Sequence, residues 1–151
     1  MDYSQITDYL FIGRTPQTHD YDLLRSLGVR LVINMRLERK PYPDEHSPPM
    51  PVVRIPTVDS PLFPIPMRSL TKGVRAALPV IESGGKVYVH CQAGVHRAVT
   101  MGSAILITQG IDPQAAMDLI KAQRPVADPD AWYIQRCILR FARVWDQEAL
   151  V

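Results

Sequence analysis

Residues 86–97, KVYVHCQAGVHR, contain the most informative local pattern in the chain. The first part, KVYVH, is rich in β-branched and aromatic residues and predicts a buried strand. A short loop with one glycine, Gly94, follows, and beyond it an apolar periodicity predicts a helix over 97–109. A strand joined through a tight loop to a helix is a unit of sheets that carry helices on their faces.

The flanking segments extend this pattern in both directions. Further strands are predicted at 9–13, 30–35 and 52–55. Further helices are predicted from Thr18 or Asp20 to Gly28, and over 67–82, 113–123 and 130–146. This order predicts an α/β fold with a mainly parallel central sheet and helices on both faces. Ligands of such sheets bind beyond the carboxyl ends of the strands, where the loop that begins at Cys91 lies.

Length and composition set broad limits on the protein. A chain of 151 residues fits a single domain that spans 1–151, and we expect a monomer. The net charge of +2 is too small to indicate a nucleic-acid or membrane partner, and we expect neither. The first residues lack the basic and apolar regions of a secretory signal, so we expect a cytoplasmic location. In that reducing compartment, each of the two cysteines is expected to serve in packing or in chemistry.

Proline is unusually dense in one part of the chain. Nine of the 14 prolines lie between Pro41 and Pro66, which excludes a helix or a central strand over most of that stretch. Long ordered loops are often functional, although a stiffened loop also serves thermal stability. We expect residues 36–49, RLERKPYPDEHSPP, to form one rim of the ligand pocket. Their mixed charges point to no single substrate.

The loop after the strand has the features of an anion-binding site. A tight loop that ends at a helix N-terminus directs backbone N–H groups and the positive end of the helix dipole at one point. Gly94 permits the positive φ that such a loop requires. The same field stabilises the thiolate form of Cys91, which is the nucleophilic form. Arg97 adds two parallel N–H donors that match two phosphate oxygens. The residues predicted to cradle the phosphate are Gln92, Ala93, Gly94, Val95 and His96.

The spacing of a cysteine and an arginine six positions later is not specific by itself. Cys137 and Arg143 have the same spacing, but they lie in CILRFAR, an amphipathic run without a glycine or a preceding strand. We therefore predict that Cys137 fills the core. Cys91 has the strand, the glycine and the following helix that Cys137 lacks.

The string VHCQAGVHR after a strand resembles the His-Cys-x5-Arg signature of the protein tyrosine phosphatase superfamily, and the short chain is similar to its small dual-specificity branch. The segments YLFIG, LGVRLVINM and QRPVADPDAWYIQRCILRF also resemble family segments. This resemblance implies a phosphatase of that fold which acts on phosphotyrosine and phosphoserine or phosphothreonine proteins, or on a small phosphomonoester. The reaction would pass through a cysteinyl phosphate and need no cofactor. Cys91 would be the nucleophile and Arg97 the phosphate ligand.

The leaving alcohol needs a proton donor. In the family this is an aspartate on a loop before the cysteine, and Asp59 in IPTVDSPLFPIP lies 32 residues before Cys91. The resemblance thus implies that Asp59 is the general acid. Asp44 and Glu45 are rivals on the same proline-rich stretch, and Asp59 also suits a simple turn.

Several neighbouring residues receive roles from the same resemblance. His90 is expected to support the loop and favour the thiolate. Arg124, Pro125 and Asp130 resemble a segment that braces the loop from the side.

His96 is expected to point outward, where it either meets the substrate or is solvated. Four apolar or aromatic residues of the last helix are expected in the core: Trp132, Tyr133, Ile138 and Phe141.

One position departs from the family pattern. Ala98 stands where a serine or threonine usually follows the arginine, and that hydroxyl assists departure of the sulfur in the second step. A phosphate-binding protein with slow turnover is therefore one alternative, and Thr100 is a substitute donor to consider. A phosphoinositide or inositol-phosphate phosphatase is another, although its loop usually carries lysines. An arsenate reductase needs further thiols, and a zinc site at His90, Cys91 and His96 lacks the usual ligand spacing, so we expect no metal.

Overall fold

The computed structural model describes residues 1–149 and is built around a five-stranded sheet with the order β1-β2-β5-β3-β4. Only β1 runs antiparallel to its neighbour, and the other pairs are parallel. The strands are β1 Tyr3–Thr7, β2 Leu10–Arg14, β3 Val29–Arg36, β4 Val52–Thr57 and β5 Lys86–Cys91. The predicted mainly parallel sheet is confirmed.

Five α-helices complete the fold within residues 1–149. They are α1 Tyr21–Ser26, α2 Met67–Glu82, α3 Arg97–Thr108, α4 Pro113–Gln123 and α5 Trp132–Ala149. The bounds of α2 and α4 agree with the predicted ranges. The first predicted helix is shorter than expected, because residues Thr18–Asp20 form a 3₁₀ turn before α1 begins. None of the helices in this part of the chain is both long and apolar enough to cross a bilayer.

The alternation of side chains along each strand separates two cores. On β5, Val87 and Val89 face the larger core under α2, α3, α4 and α5, whereas Tyr88 faces a smaller one beside α1. On β2, Ile12 and Phe11 divide in the same way. This two-residue period places helices on both faces of the sheet, as predicted, and leaves α3 buried over most of its length.

The sequence patterns did not predict β1. Its sequence, YSQIT, is largely polar and has one buried residue, Ile6, so it lacks the apolar run that indicates a strand. It forms because it pairs with β2 at the edge of the sheet. At the opposite edge, β4 contains Pro56, which an edge strand tolerates because one side of its backbone has no partner.

Candidate active site

The predicted loop lies at the carboxyl end of the parallel strands. Cys91 is the last residue of β5 and Arg97 is the first residue of α3. The loop forms the floor of a cleft of about 490 Å³, whose wall also includes Asp59. Asp59, 32 positions before Cys91, is thus brought to the same cleft as Cys91 and Arg97. The other lining residues are Leu37, Glu38, Val58, Gln92, Ala93, Val95 and His96.

The carbonyl groups of the loop are held by donors outside it. Thr15 Oγ1 donates to the Cys91 carbonyl at 3.0 Å, and the backbone N–H of Asp128 donates to the Val95 carbonyl at 3.0 Å. Arg124 donates through Nη2 to the Ala93 carbonyl and through Nε to the Gly94 carbonyl, both at 2.9 Å. Within residues 1–149, the N–H groups of 93–96 donate to no protein acceptor. They remain available for an anion above the loop.

Gly94 is required at its position for two reasons. Its φ of 69° lies in the left-handed region that side chains disfavour. A Cβ atom there would also lie 2.9 Å from Arg124 Nη2 and 2.9 Å from the Gly13 carbonyl oxygen. Arg124 is 1% exposed, so the brace that the family resemblance implied is a buried guanidinium packed directly under the loop. Asp130, expected in the same brace, is instead exposed.

A carboxylate that the sequence patterns did not identify accepts hydrogen bonds from the guanidinium of Arg97. Its Nη1 and Nη2 donate to the two oxygens of Glu38 at 2.8 and 2.9 Å, and Nη1 also donates to the Thr57 carbonyl at 2.8 Å. Hydrogen bonds from Arg97 lower the pKa of Glu38 to about 2. Burial opposes the charge of Arg97, but the hydrogen bonds to Glu38 together with the negative groups around it raise the pKa of Arg97. Its Nε has no partner among the described residues, which leaves a buried donor for a ligand.

A second polar network joins the loop to Asp59. His96 Nδ1 lies 2.7 Å from Asp59 Oδ2, and its Nε2 lies 3.0 Å from Asp128 Oδ2. The hydroxyl of Tyr133 donates to Asp59 Oδ1 at 2.6 Å. Burial disfavours a charged His96, but its hydrogen bonds to Asp128 and Asp59 together raise the pKa of the imidazole. His96 is therefore held by two carboxylates. The sequence had offered two alternatives, contact with the substrate or solvation, and neither included these bonds.

The structure corrects the expectation for Trp132 at the start of α5, which is 64% exposed. Tyr133 is half-buried against the larger core and donates its hydroxyl hydrogen to Asp59. Burial and this hydrogen bond raise the pKa of Tyr133 to about 12. Ile138 and Phe141 are buried, as predicted. The first turn of α5 lies at the border of the larger core, so Trp132 faces solvent while Ile134 is buried.

The two rivals of Asp59 lie elsewhere. Asp44 accepts hydrogen bonds from Arg25 and from the N–H of Met50, and its bond with Arg25 holds its pKa well below its usual range. It therefore organises the proline-rich loop as a permanent carboxylate. Glu45 is exposed and does not line the cleft. Of residues 36–49, the predicted rim, Leu37 and Glu38 line this cleft.

His90, which precedes Cys91, and Ala98, which follows Arg97, are both buried. Burial lowers the pKa of His90 to about 3, so its imidazole is neutral near pH 7 and adds no positive charge beside the thiol. The expected role of His90, to support the loop and favour the thiolate, stays a prediction. Ala98 brings no hydroxyl, and Thr100 Oγ1 donates to the His96 carbonyl at 2.9 Å. The Thr100 hydroxyl, which the sequence offered as a substitute donor, therefore already donates to the backbone.

Cys137 has the environment of a packing residue. It is buried in the larger core, and its sulfur lies 3.7 Å from the Ile65 carbonyl oxygen. Desolvation raises the pKa of the Cys137 thiol to about 11. Both cysteines are free thiols. The described residues contain no group of three or more His, Cys, Asp and Glu arranged to hold a metal ion.

Comparison with known proteins gives consistent matches along most of the chain. The family model described as "Dual specificity phosphatase, catalytic domain" matches residues 10–141. Dual specificity protein phosphatase 14 of Mus musculus is 32% identical over 136 residues, which cover 89% of this chain and 67% of that protein. Dual specificity protein phosphatase 1B of Arabidopsis thaliana is 30% identical over 137 residues, which cover 89% of this chain and 79% of that protein.

Solved structures show the same fold. The crystal structure of human DUSP28 superposes with a TM-score of 0.85 at 20% identity, covering 97% of this chain and 96% of that one. The crystal structure of PTPMT1 in complex with PI(5)P has a TM-score of 0.82 at 26% identity, covering 97% of this chain and 98% of that one.

Proposed function

The chain belongs to the dual specificity phosphatase catalytic-domain family, and on this premise we propose that it hydrolyses phosphotyrosine and phosphoserine or phosphothreonine esters through a cysteinyl phosphate on Cys91. The observation that carries the proposal is the shared cleft of Cys91, Arg97 and Asp59 above the unpaired N–H groups of 93–96. A nucleophile, a guanidinium and a carboxyl group there surround one oxyanion site. That is the set of groups which phosphoryl transfer requires.

In the first step the phosphate dianion binds to the loop N–H groups and to the free donors of Arg97. The Cys91 sulfur attacks phosphorus as the bond from phosphorus to the leaving oxygen breaks. Asp59 donates a proton to that oxygen, so the alcohol leaves neutral. Hydrogen bonds to the loop carbonyls fix the peptide groups, and so they also fix the N–H donors that face the phosphate. The loop therefore needs little reorganisation as negative charge shifts during the reaction.

In the second step water attacks the phosphorus of the cysteinyl phosphate. The Asp59 carboxylate takes a proton from the water, the sulfur–phosphorus bond breaks, and the sulfur departs as a thiolate with inorganic phosphate as product. The hydrogen bond between His96 and Asp59 places a second proton-carrying group beside the acid. Asp59 regains from the water the proton that it gave to the leaving oxygen, and the hydrogen bond to His96 holds its carboxyl group in place.

The wall of the cleft supports an aromatic leaving group. Leu37 and Val58 line it beside the polar floor, so an aryl ring can contact them while its phosphate lies on the loop. We propose that the partner is a phosphorylated protein or a small phosphomonoester, and that this chain acts as a monomer. PTPMT1 was crystallised with PI(5)P, so a phosphoinositide phosphatase is the second candidate.

The test uses para-nitrophenyl phosphate, phosphotyrosine, phosphoserine and phosphothreonine peptides, and PI(5)P. We expect Cys91→Ser to lose hydrolysis while it retains inorganic phosphate binding, because a neutral hydroxyl is a poor nucleophile. Cys137→Ser is the matched control, since it removes the other free thiol, and it should retain most of the activity. Loss of activity in Cys137→Ser together with full activity in Cys91→Ser would overturn the assignment. The relative rates across the panel decide between peptide and phosphoinositide substrates.

A further inference from the structure

The exposed apolar residues of the protein are concentrated around the loop that follows Asp59. In this loop Leu62 is 82% exposed and Phe63 is 67% exposed. Seven large apolar residues are exposed within residues 1–149, and five of them lie in this loop, beside it or on α5: Leu37, Leu62, Phe63, Trp132 and Leu139. Single exposed apolar side chains are ordinary, but a cluster of this kind marks an interaction surface.

This loop borders the active-site cleft. Leu62 and Phe63 line an apolar hollow of about 540 Å³, and Leu37 and Val58 line both that hollow and the cleft. Prolines at positions 61, 64 and 66 restrict the backbone of the loop, so it presents its apolar side chains at a small conformational cost. Anything that binds the loop would therefore lie next to the cleft.

Exposed cations follow the loop along α5. Arg136, Arg140 and Arg143 are spaced by four and three residues, which places them on one side of the helix. The exposed Trp132 and Leu139 fall on the same side by the same spacing. This side of α5 thus combines arginines with large apolar side chains, which is the composition of helices that lie on membrane surfaces.

The first turns of α2 add a second row of cations. Arg68, Lys72 and Arg75 are exposed, have a similar spacing and line a hollow between α2 and α5. Met67 lines both this hollow and the one that contains Arg136. The two rows of cations therefore border one surface.

These six cations are not neutralised by nearby carboxylates. Within residues 1–149, none of the six forms a salt bridge. Glu148 lines the hollow beside α2, and it lies with Asp146 beyond the arginines toward the end of α5. The surface thus has an excess of positive charge, although the whole chain carries only +2.

We propose that this surface binds a bilayer that contains anionic lipids, with Leu62, Phe63 and Trp132 among the head groups and the cations of α2 and α5 on the lipid phosphates. Apolar and aromatic side chains that project from a protein suit the interface of a bilayer. Each cation close to an anionic membrane surface adds to the attraction. The proposal goes beyond the proposed function, because it needs no catalytic residue.

Two other occupants fit the surface less well. A second copy of the chain would bring the same cations against one another, because a two-fold interface pairs a surface with itself. An acidic peptide would pair with the cations but leave Leu62 and Phe63 in water. The proposal replaces the expectation of no membrane partner, since the net charge of a whole chain does not show how its charges are distributed.

The experiment measures cosedimentation of the protein with vesicles of phosphatidylcholine alone and of phosphatidylcholine with about 30% phosphatidylserine. We expect binding to the anionic vesicles and binding at least roughly tenfold weaker to the neutral ones. The affinity should decrease as salt is added, because exposed charges are screened. No binding to the anionic vesicles at low salt, or equal binding to both compositions, would overturn the proposal.

Two double variants separate the contributions of charge and of apolar contact. Arg136→Gln/Arg140→Gln removes two cations and should weaken binding to the anionic vesicles by roughly 30-fold. Leu62→Ser/Phe63→Ser keeps every charge and should weaken it by roughly tenfold or more. Wild-type affinity in both variants would show that the assigned surface is wrong.

Arg30→Gln/Lys40→Gln is the matched control for charge. Both residues are exposed, and neither lines any of the three hollows around the loop, α2 and α5. This variant removes as many cations as Arg136→Gln/Arg140→Gln, and its affinity should stay within about twofold of wild type. An equal loss in both would mean that the attraction belongs to the whole chain and would overturn the assigned surface.

These results are separable from failure of the proposed function, because phosphatidylserine vesicles report binding without hydrolysis. The exchanged residues of the loop and of α5 do not line the active-site cleft, so hydrolysis of para-nitrophenyl phosphate should stay within about twofold of wild type. Circular dichroism checks the fold of each variant if the wild type proves inactive. A dimer in solution that Leu62→Ser/Phe63→Ser dissociates, without vesicle binding by the wild type, would assign the surface to a second copy and overturn the proposal.

Discussion

His96 Nδ1 lies 2.7 Å from Asp59 Oδ2. One direct hydrogen bond therefore joins the phosphate loop, residues 91–97, to the loop that carries Asp59, the proposed acid. The imidazole also reaches Asp128, and Tyr133 donates to the other oxygen of Asp59. The acid is therefore positioned over the cleft by groups from α5 and from the phosphate loop itself. Its position does not depend on the proline-rich loop alone.

The first prediction concerns stability and pH. The folded-state pKa of His96 is raised above its unfolded value, so its pairing with Asp59 and Asp128 stabilises the fold fully at low pH and is lost as pH rises through the raised pKa. His96→Asn should thus lower the free energy of unfolding by about 1 kcal/mol more near pH 6 than near pH 9. Urea unfolding at both pH values measures this.

His19→Asn is the control for that measurement. The side chain of His19 is 78% exposed and does not line the active-site cleft. It should show a smaller dependence on pH. Equal curves for the His96 variant and the wild type would show that the ion-paired network does not contribute to folding.

The second prediction concerns the proton donor. Asp59→Asn should lower kcat/KM, which reports the first step, by about 100-fold on substrates with poor leaving groups and remove the basic limb of its pH profile. The loss should be smaller for an activated phenol, which departs without protonation. Glu45→Gln, an exposed rival on the proline-rich loop, should retain both the rate and the basic limb. If the limb persists in Asp59→Asn and disappears in Glu45→Gln, another group donates the proton.

The third prediction compares two arginines with the same spacing from a cysteine. In the wild type, the planar guanidinium of Arg97 binds Glu38 through its two Nη atoms and still has Nε free for a ligand. Arg97→Lys keeps the charge but loses this planar group. We expect kcat/KM on para-nitrophenyl phosphate to fall by about 100-fold or more. Arg143→Lys, on the exposed side of α5, should leave kcat/KM within about twofold of wild type. Comparable losses in both variants would contradict a specific role for Arg97.

The fourth prediction concerns the second step. Ala98 provides no hydroxyl, and the Thr100 hydroxyl donates to the His96 carbonyl, so departure of the sulfur lacks a side-chain donor. Breakdown of the cysteinyl phosphate should then limit turnover, with a burst of phenol in the first turnover. Ala98→Ser restores one hydrogen bond to a charged sulfur, worth about 1.5 kcal/mol or about tenfold in rate. Stopped-flow kinetics that show no burst, together with an unchanged rate in Ala98→Ser, would exclude this limitation.

Local sequence patterns predicted the loop that begins at Cys91 and most of the regular elements. Apolar periodicity and turn residues are local, so the bounds of α2 and α4 and the strand–loop–helix unit around Cys91 could be predicted. The positive φ of Gly94 also followed from its place in the loop. Cys91, Arg97 and Asp59 were predicted to converge, and they line one cleft.

The groups that hold these three residues are set by the packing of distant elements. Glu38 binds Arg97 from 59 positions away, and Tyr133 reaches Asp59 across 74 positions. In sequence, Glu38 belongs to a run of mixed charges and Tyr133 to an amphipathic helix. β1 likewise forms only because it has β2 to pair with. Contacts of this kind depend on how distant elements pack against one another, and local periodicity carries no information about that packing.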